Sequence, residues 1–295
     1  MELKNNINDV ALIFEGGGMR GAFSAGIVNA LLENELYFNY VAGISAGTSQ
    51  TLNYLSRDKE RTKNSFIDIV DDPNFGGWKS FLKGKGFFNS EYIYEEIGKP
   101  GKWLEFDYET FKKNPAKYRI ISYDVKKRGA RNFTNSDVKS LEDVMKIARA
   151  SSSLPFFMPP TVIKDRVYFD GGLTGGIPID IAIEDGYEKF FIVRTQEKDY
   201  RKKPVKHPSF YKRHFKKYPG VADALLKRPE VYNRQCDLIE ELERQGKAYV
   251  VYPEKMDITN RETHKEKLEE IYEQGYVIGM SDSDKWKEFL FAKNK

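Results

Sequence analysis

Short apolar runs alternate with helix-like stretches in the first part of the chain. Residues 10–14, VALIF, predict a buried strand, and a helical stretch follows in which Phe23, Ile27, Ala30 and Leu31 share one face. A second apolar run, YVAGI, and a second helical stretch come next in the same order. Strands that alternate with helices in this way predict an α/β protein with a parallel sheet.

The alternation continues as far as residue 196. The further elements that the pattern predicts are strands over 40–44, 117–125 and 189–195, a strand that enters a turn within residues 166–172, RVYFDGG, and helices over 46–57 and 138–150. Residues 59–111 are mixed and rich in glycine and aromatic residues, and two of their aromatic stretches, FGGW and GFFNS, suit either a hydrophobic core or the wall of an apolar groove.

The composition changes after Gln196. Residues 200–221 contain no acidic residue and eight lysines or arginines, and polar helical segments follow, with a short strand over 249–252. We therefore place a soft boundary at this point. The first domain covers residues 7–196, and residues 197–295 form a mostly helical extension that can pack against it.

The bulk composition limits the protein class. An apolar fraction of 40% can build a sizeable core. A net charge of +4 among 295 residues does not by itself indicate any class of binding partner. Cys236 is the single cysteine, which excludes an intramolecular disulfide and is typical of a reducing compartment. The polar N-terminus and the lack of any run of about 18 apolar residues predict a cytoplasmic protein in which membrane contact is peripheral.

Residues 16–21, GGGMRG, follow the first predicted strand and match the dinucleotide fingerprint G-x-G-x-x-G. A dinucleotide-binding unit also needs an acidic residue at the end of its second strand to bind the ribose hydroxyl. Here Ser45 follows the second strand instead, while Glu33 and Glu35 precede it. A dinucleotide site is therefore the weaker interpretation of this glycine loop.

The sequence GISAG at the second strand-to-helix junction matches the nucleophile elbow G-x-S-x-G. A nucleophilic serine projects from the tip of a tight turn, where side chains two residues to either side would collide. The elbow then consists of Gly43, Ile44, Ser45, Ala46 and Gly47. The alternative is a serine that only caps a helix between two packing glycines.

A nucleophilic serine gives the glycine loop a different use, as an oxyanion hole. Acyl transfer develops a negative oxygen, which preorganised backbone N–H groups stabilise, and a helix N-terminus adds its positive dipole. The loop consists of Gly16, Gly17, Gly18, Met19, Arg20 and Gly21. Gly17, Gly18 and Met19 are the predicted donors, and Arg20 supports the loop or its field.

Asp170 is the candidate base, because it directly follows a predicted strand and Gly171 and Gly172 keep its turn open. Taken alone, DGG is a common turn. In this order, however, EGGGMRG, GISAG and DGG resemble the motifs of the patatin-like phospholipases, as do residues 148–160 and 170–180. The third motif is often D-G-A in that family, and D-G-G is a frequent variant.

The resemblance covers residues 7–196 and implies a three-layer α/β/α sandwich with a mainly parallel sheet. It also implies a serine–aspartate dyad that hydrolyses acyl lipids through an acyl-serine. Ser45 is then the nucleophile, Asp170 is the base, and no metal or cofactor is needed. A silent lipid-binding protein of the same fold is the alternative, against which the intact Ser45 and Asp170 argue.

A Ser-Asp-His triad that uses His207 is a further alternative. The order Ser45, Asp170, His207 fits an α/β-hydrolase, but in those enzymes several strands precede the nucleophile and here only two do. His207 also lies in a basic stretch where an orienting carboxylate is not expected. We therefore expect no catalytic role for His207, His214 or His264.

Residues 201–219 interleave eight cations with four aromatic residues. Such a segment suits peripheral contact with an anionic membrane, where each cation near the surface contributes about 1 kcal/mol. It is equally typical of a solvated face, and a nucleic-acid partner is not expected.

Overall fold

A mixed sheet forms the middle layer of the computed structural model, which describes residues 3–77, 80, 82, 84 and 86–292. Its strands within the described residues are β1 Ala11–Phe14, β2 Tyr40–Ile44, β3 Lys117–Asp124, β4 Gly129–Phe133, β5 Thr161–Ile163, β6 Arg166–Asp170, β7 Phe190–Val193 and β8 Ala248–Val251. Their order is β5-β6-β3-β2-β1-β7-β8, with β4 paired to β3. Strands β1, β2, β3, β7 and β8 are parallel, and the pairs β3–β4, β3–β6 and β5–β6 are antiparallel.

Helices cover both faces of this sheet. Those given for the described residues are α1 Gly21–Glu33, α2 Ala46–Leu55, α3 Lys59–Asn64, α4 Tyr108–Lys113, α5 Leu141–Ser152, α6 Ile179–Glu184, α7 Pro208–His214, α8 Pro219–Arg244, α9 Lys265–Ser281 and α10 Ser283–Phe291. Short 3₁₀ turns are Gly18–Arg20, Asp68–Asp71, Asn135–Asp137 and Gly171–Thr174, and Tyr92–Glu96 is a π-helical turn.

The alternation of side chains along β1 shows how the layers are divided. Leu12 and Phe14 belong to a core that α1, α2, α5, α9 and α10 cover, whereas Ala11 and Ile13 face a second core under α6 and α8. The predicted α/β/α sandwich with a mainly parallel sheet is therefore confirmed.

The strand register brings two chain segments to one edge of the sheet. Ile44 at the end of β2 pairs with Ile121 of β3, and Asp170 at the end of β6 pairs with Ser122, the next residue of β3. Ser45 and Asp170 therefore lie at nearly the same height on either side of β3. Gly43 pairs with Phe14, so the glycine loop after β1 reaches this edge as well.

The helix after the glycine loop is more buried than its pattern predicts. Only one apolar face was expected, but every residue of α1 except Glu33 is buried. The reason is α9 from the C-terminal region, which packs along α1 and places the Tyr272 hydroxyl 2.8 Å from Asn29 Nδ2. The division near Gln196 stays a prediction, and β8 beyond it is hydrogen-bonded to β7 before it.

The helix predicted over 138–150 begins later, at Leu141. Ser140 caps it by accepting from the N–H of Asp143, and the Asp143 carboxylate accepts from the N–H of Ser140. This reciprocal capping box satisfies N–H groups at the helix start and fixes its first residue. No helix within the described ranges is both long and apolar enough to cross a membrane.

Candidate active site

Ser45 lies at the tip of the turn between β2 and α2, with φ 56° and ψ −122°. A left-handed φ in a residue with a Cβ costs on the order of 1–3 kcal/mol and persists only where the surroundings enforce it. One enforcing contact comes from Ser151, whose Oγ accepts from the Ser45 N–H at 3.1 Å and donates to Ile121 O at 2.6 Å. The 148–160 stretch therefore supports the elbow through Ser151.

The start of α2 touches the end of β1 directly. A Cβ on Gly47 would lie 2.3 Å from the carbonyl oxygen of Phe14, and one on Gly43 would lie 2.2 Å from the carbonyl oxygen of Gly47. Only glycine permits this approach. Ile44 ends β2 as a buried residue, and Ala46, the first residue of α2, lines the same cavity as Ser45.

Asp170 is buried, and one of its two oxygens is anchored. Oδ1 accepts from the N–H of Gly172 at 2.6 Å, and the Asp170 N–H donates to Ser153 O at 2.9 Å. Oδ2 is buried and forms no hydrogen bond of normal geometry with any described residue. Burial raises the pKa of Asp170, and the Ser45 hydroxyl, the Arg228 charge and the Gly172 N–H oppose this rise without cancelling it.

The Ser45 hydroxyl is therefore close enough to influence the carboxyl, although their hydrogen bond falls outside normal limits. Such bonds commonly tighten only when substrate is bound. The raised pKa makes the Asp170 carboxylate a stronger base than an exposed aspartate. Gly171 fixes the direction of the turn, because a Cβ there would lie 2.1 Å from the carbonyl oxygen of Ile121.

The glycine loop packs against the nucleophile. A Cβ on Gly16 would lie 3.3 Å from the Ser45 Cβ. The N–H of Gly16 donates to Gly176 O at 3.0 Å, and Gly21 at the loop's end caps the 3₁₀ turn through its N–H. The N–H groups of Gly17 and Gly18 have no hydrogen-bond partner among the described residues. Two of the three predicted oxyanion donors are thus free.

The third predicted donor is already occupied. The Met19 N–H donates to the backbone oxygen of Asn260 at 3.1 Å. Gly18 adopts φ +57°, and a Cβ on it would lie 2.3 Å from that same oxygen. Asn260 lies in the loop before α9, so the C-terminal region fixes the shape of the loop. The sequence carries no signal for this contact.

A buried ion pair holds the start of the loop. Glu15 Oε2 accepts from Arg194 Nε and from the Thr195 N–H, both at 2.8 Å, and Oε1 accepts from the Tyr232 hydroxyl at 2.6 Å. Burial alone would raise the pKa of Glu15, but the Arg194 charge and these hydrogen bonds lower it below its usual value. Glu15 is the first residue of the EGGGMRG motif, but the sequence alone indicated no role for it.

Arg20 forms no ion pair with a carboxylate of the described residues. Its Nε and Nη2 donate to Gln196 Oε1 at 3.3 and 3.2 Å once the Gln196 amide is oriented to present its oxygen. Burial lowers the pKa of Arg20, and the negative charge of Glu15 opposes this shift. Arg20 therefore links the loop to Gln196, three residues beyond the end of β7, and its supporting role stays a prediction.

An apolar cavity opens beside the nucleophile. Gly18, Met19, Ser45 and Ala46 belong to its lining, which also includes the polar residues Ser49, Arg61, Ser65 and Ser152. The apolar side chains along the rest are Leu52, Phe66, Ile69, Phe75, Phe88, Ile93, Tyr94, Leu104, Phe106, Val144, Met145, Ala148, Leu154 and Met158. Phe75 of FGGW and Phe88 of GFFNS thus line a groove, as one interpretation predicted. Trp78 of FGGW lies outside the described residues.

The three histidines lie elsewhere. His207 is exposed before α7, His214 packs on Phe156 with ring centroids 4.6 Å apart, and His264 Nδ1 lies 2.6 Å from Glu262 Oε1. None of them hydrogen-bonds to Ser45 or Asp170 in the part of the chain that the structure describes.

Comparisons with known proteins agree with this geometry. The Patatin-like phospholipase family model matches residues 12–183, and a domain of unknown function, DUF6363, matches residues 218–291. The uncharacterized protein YjjU of Escherichia coli is 23% identical over 63% of this chain and 52% of its own length. Probable lipid hydrolase 463L of Invertebrate iridescent virus 6 is 24% identical over 59% of this chain and 63% of its own.

Two further relatives differ more in length or sequence. Patatin-like phospholipase domain-containing protein 7 of Mus musculus is 26% identical over 65% of this chain but only 14% of its own length. VipD from Legionella pneumophila shares the fold, with a TM-score of 0.51 and 14% identity over 94% of this chain and 67% of its own. Because the family model spans more than half of the sequence, the chain belongs to the patatin-like phospholipase family.

Proposed function

We propose that this protein is a serine lipid acyl hydrolase that uses Ser45 and Asp170 as a dyad. The observation that carries the proposal is the strained Ser45 in the lining of a mostly apolar cavity, beside a buried carboxylate with one oxygen that has no hydrogen-bond partner among the described residues. Family membership supports lipid hydrolysis in general. Gly17 and Gly18 are the proposed oxyanion donors, with the Ala46 N–H at the start of α2 as a third.

In the acylation step, Ser45 Oγ attacks the ester carbonyl carbon and its proton passes to Asp170 Oδ2. Aspartate is far too weak a base to ionise serine in advance, so the proton moves as the C–O bond forms and the oxyanion hole takes up the new charge. The tetrahedral intermediate then expels the alcohol, which takes the proton from Asp170. The acyl group stays on Ser45.

Deacylation reverses these roles. Water attacks the acyl-serine carbonyl carbon and gives its proton to Asp170, and Ser45 regains that proton when the fatty acid leaves. The cavity beyond Met19 holds the acyl chain, since most of its lining is apolar. The dyad therefore returns to its starting state without any other group.

Covalent labelling tests the nucleophile. A fluorophosphonate probe is expected to label the wild-type protein once, and Ser45→Ala is expected to lose the label and the hydrolysis of a short p-nitrophenyl ester. Ser136→Ala, which changes an exposed serine, is the matched control. Label that persists in Ser45→Ala would mean a different nucleophile, and a wild-type protein without label or turnover would favour the silent lipid-binding alternative.

We also propose that residues 201–219 contact anionic membranes. Six exposed cations of this segment form no ion pair with a described residue: Lys203, Lys206, Lys212, Arg213, Lys216 and Lys217. Phe210 on α7 is 55% exposed. Met158 lines both the main cavity and the shallow groove beside α7, so this surface adjoins the proposed acyl site.

A further inference from the structure

One charged side chain lies in the wall of the cavity beside Ser45. Among the described residues that line this cavity, Arg61 of α3 is the only charged one. It forms no ion pair in the described part of the chain, and Asp58 Oδ1 accepts instead from the Arg61 backbone N–H at 2.8 Å. Burial lowers the pKa of Arg61 to about 10, so the guanidinium is still a cation at neutral pH. A cation in an apolar wall is unfavourable unless hydrogen bonds hold it there.

Groups from two other segments hold this guanidinium in place. Arg61 Nη1 donates to Asn53 Oδ1 near the end of α2, and Nε donates to the carbonyl oxygen of Leu104 at 3.3 Å. Cζ lies 5.1 Å from the ring centroid of Phe106. Leu104 and Phe106 also line the cavity. The cation is therefore a fixed part of the wall between the end of α2 and residues 104–106.

The course of α2 gives the distance of this wall from the nucleophile. The cavity follows one face of the helix, because its lining includes Ser45, Ala46, Ser49 and Leu52. Asn53, which holds the guanidinium, comes directly after Leu52. The stretch from Ser45 to Asn53 spans about 12 Å along the helix axis. The guanidinium therefore lies at the end of the cavity that is remote from the nucleophile.

Only a thin wall separates this end of the cavity from the surface. Phe106 lines the cavity and also a separate surface pocket, whose lining includes Asp58 and Glu105. Arg61 and Phe106 thus stand between the two spaces. A smaller or uncharged side chain in place of Arg61 would lengthen the apolar space in the direction of that pocket.

We propose that the charged side chain of Arg61 closes the acyl cavity and limits the acyl group to about ten carbons. This inference rests on the proposed hydrolase function. An extended chain advances about 1.2 Å per bond, so roughly ten carbons fill the length from Ser45 to the guanidinium. The end of a longer chain would press on the cation and remove water or hydrogen-bond partners from it, and an apolar group offers no compensation.

Two esters that differ only in acyl length test this limit. The p-nitrophenyl esters of octanoic and tetradecanoic acid are compared in nonionic micelles, and the ratio of kcat/KM for the longer to the shorter ester is measured. This ratio is expected to be low in the wild type and to rise tenfold or more in Arg61→Met, since each newly buried methylene can add about fourfold. Arg61→Lys, which keeps the charge, is expected to keep the low ratio, as is Lys63→Gln, which removes an exposed cation from the same helix.

An unchanged ratio in Arg61→Met would overturn the proposal. If both esters lost activity equally, Arg61 would only hold α3 against residues 104–106. A wild type that prefers the tetradecanoate would also contradict the limit. So would a rise in Arg61→Lys as large as that in Arg61→Met, because the charge would then play no part.

A binding experiment separates this result from a failure of the hydrolase assignment. Octanol and dodecanol are titrated by calorimetry into Ser45→Ala and into Ser45→Ala combined with Arg61→Met. Dodecanol is expected to bind little more tightly than octanol to the first protein and at least tenfold more tightly to the second. This pattern supports closure of the cavity by Arg61 even if no ester is cleaved, and an equal gain in both proteins would overturn it.

Discussion

The motif-bearing region before Gln196 and the C-terminal region after it reach the candidate site in different ways. Before Gln196, each proposed catalytic group lies where a strand ends and a turn begins: Ser45 directly follows β2, and Asp170 is the last residue of β6. After Gln196, the contributing groups are a backbone oxygen at Asn260 and side chains on or beside α8. The proposed catalytic groups are thus positioned by local turns, whereas contacts between residues far apart in the sequence fix the shape of the glycine loop.

This difference has a consequence for what substitutions do. A change in a strand-end group removes a chemical step and leaves the fold intact. A change at a contact between the two regions moves the glycine loop or weakens the packing of the two regions against each other. Such a change affects the chemical step only indirectly. Variants on each side therefore separate the roles of the two regions.

The largest expected effect is on the base. Asp170→Asn keeps the shape of the side chain but cannot accept the serine proton, so kcat is expected to fall roughly 10²–10⁴-fold. Steady-state hydrolysis of a short p-nitrophenyl ester measures it, and circular dichroism checks the fold. The control is His207→Ala, which is expected to hydrolyse the ester at nearly the wild-type rate. A loss of activity in His207→Ala would instead favour a Ser-Asp-His triad.

The buried Glu15–Arg194 ion pair of the first region, which Tyr232 of the C-terminal region also contacts, comes next. Glu15→Gln leaves Arg194 without its counter-charge, and the free energy of unfolding is expected to fall by about 3–5 kcal/mol. Denaturant unfolding measures this, with the exposed Glu188→Gln as the control, expected to change little. A loss no larger than that of the control would mean that the ion pair does not hold the loop.

The same pair predicts a pH dependence. The pKa of Glu15 is lowered from 4.5 in the folded protein, so its contribution is present above 4.5 and is lost as the pH falls through the lower folded value. The wild type and Glu15→Gln are therefore expected to converge in stability at acid pH. Denaturant unfolding of the wild type and of Glu15→Gln, measured from neutral to acid pH, tests whether the difference in their free energies of unfolding falls as the pH is lowered.

A smaller effect is expected where the C-terminal region touches the glycine loop. Gly18→Ala would push a Cβ against Asn260 O and displace the oxyanion donors, so kcat is expected to fall roughly 10–10²-fold. Gly246 also has a positive φ, +70°, but a Cβ there would contact no other atom. Gly246→Ala therefore measures only the free-energy cost of a positive φ in a residue with a Cβ. Equal activity in the two variants would refute the supporting role of Asn260.

The smallest effect on chemistry is expected from the basic segment. Replacing four exposed lysines and arginines by glutamine is expected to weaken binding to anionic vesicles by at most about 1 kcal/mol per cation and to leave hydrolysis of a soluble ester unchanged. The four are Lys212, Arg213, Lys216 and Lys217. Co-sedimentation at low and high salt measures the binding, which is expected to weaken as salt screens it.

A second quadruple variant controls for the loss of charge as such. It replaces four exposed lysines distant in sequence from the basic segment by glutamine: Lys112, Lys113, Lys126 and Lys127. If both quadruple variants lose binding equally, or if the wild type binds neutral and anionic vesicles alike, residues 201–219 are a solvated face.

The sequence predicted the buried parallel strands well, because a buried strand between turns has a local signature. β2 occupies the predicted residues 40–44, β7 lies within the predicted run 189–195, and β8 begins one residue before the predicted 249–252. The sequence did not predict β4 or β5. It predicted α1 as amphipathic, which is wrong for a helix buried on nearly all sides, because the pattern cannot show that α9 covers the second face. It also gave no indication that β3, β4, β5 and β6 pair in antiparallel fashion, since pairing direction depends on the path of the chain between strands.

By itself, the sequence determined the family, the layer architecture and the candidate groups Ser45 and Asp170. Each of these follows from a short motif. The glycines of the motif and its position at the end of a strand show that the backbone must turn tightly there. Only the tertiary structure decided that the register across β3 brings the two groups to one height, that Asn260 occupies the Met19 N–H, and that Arg228 faces Asp170. These contacts join residues about 50 to 240 positions apart, and nothing near either partner in the chain encodes the other.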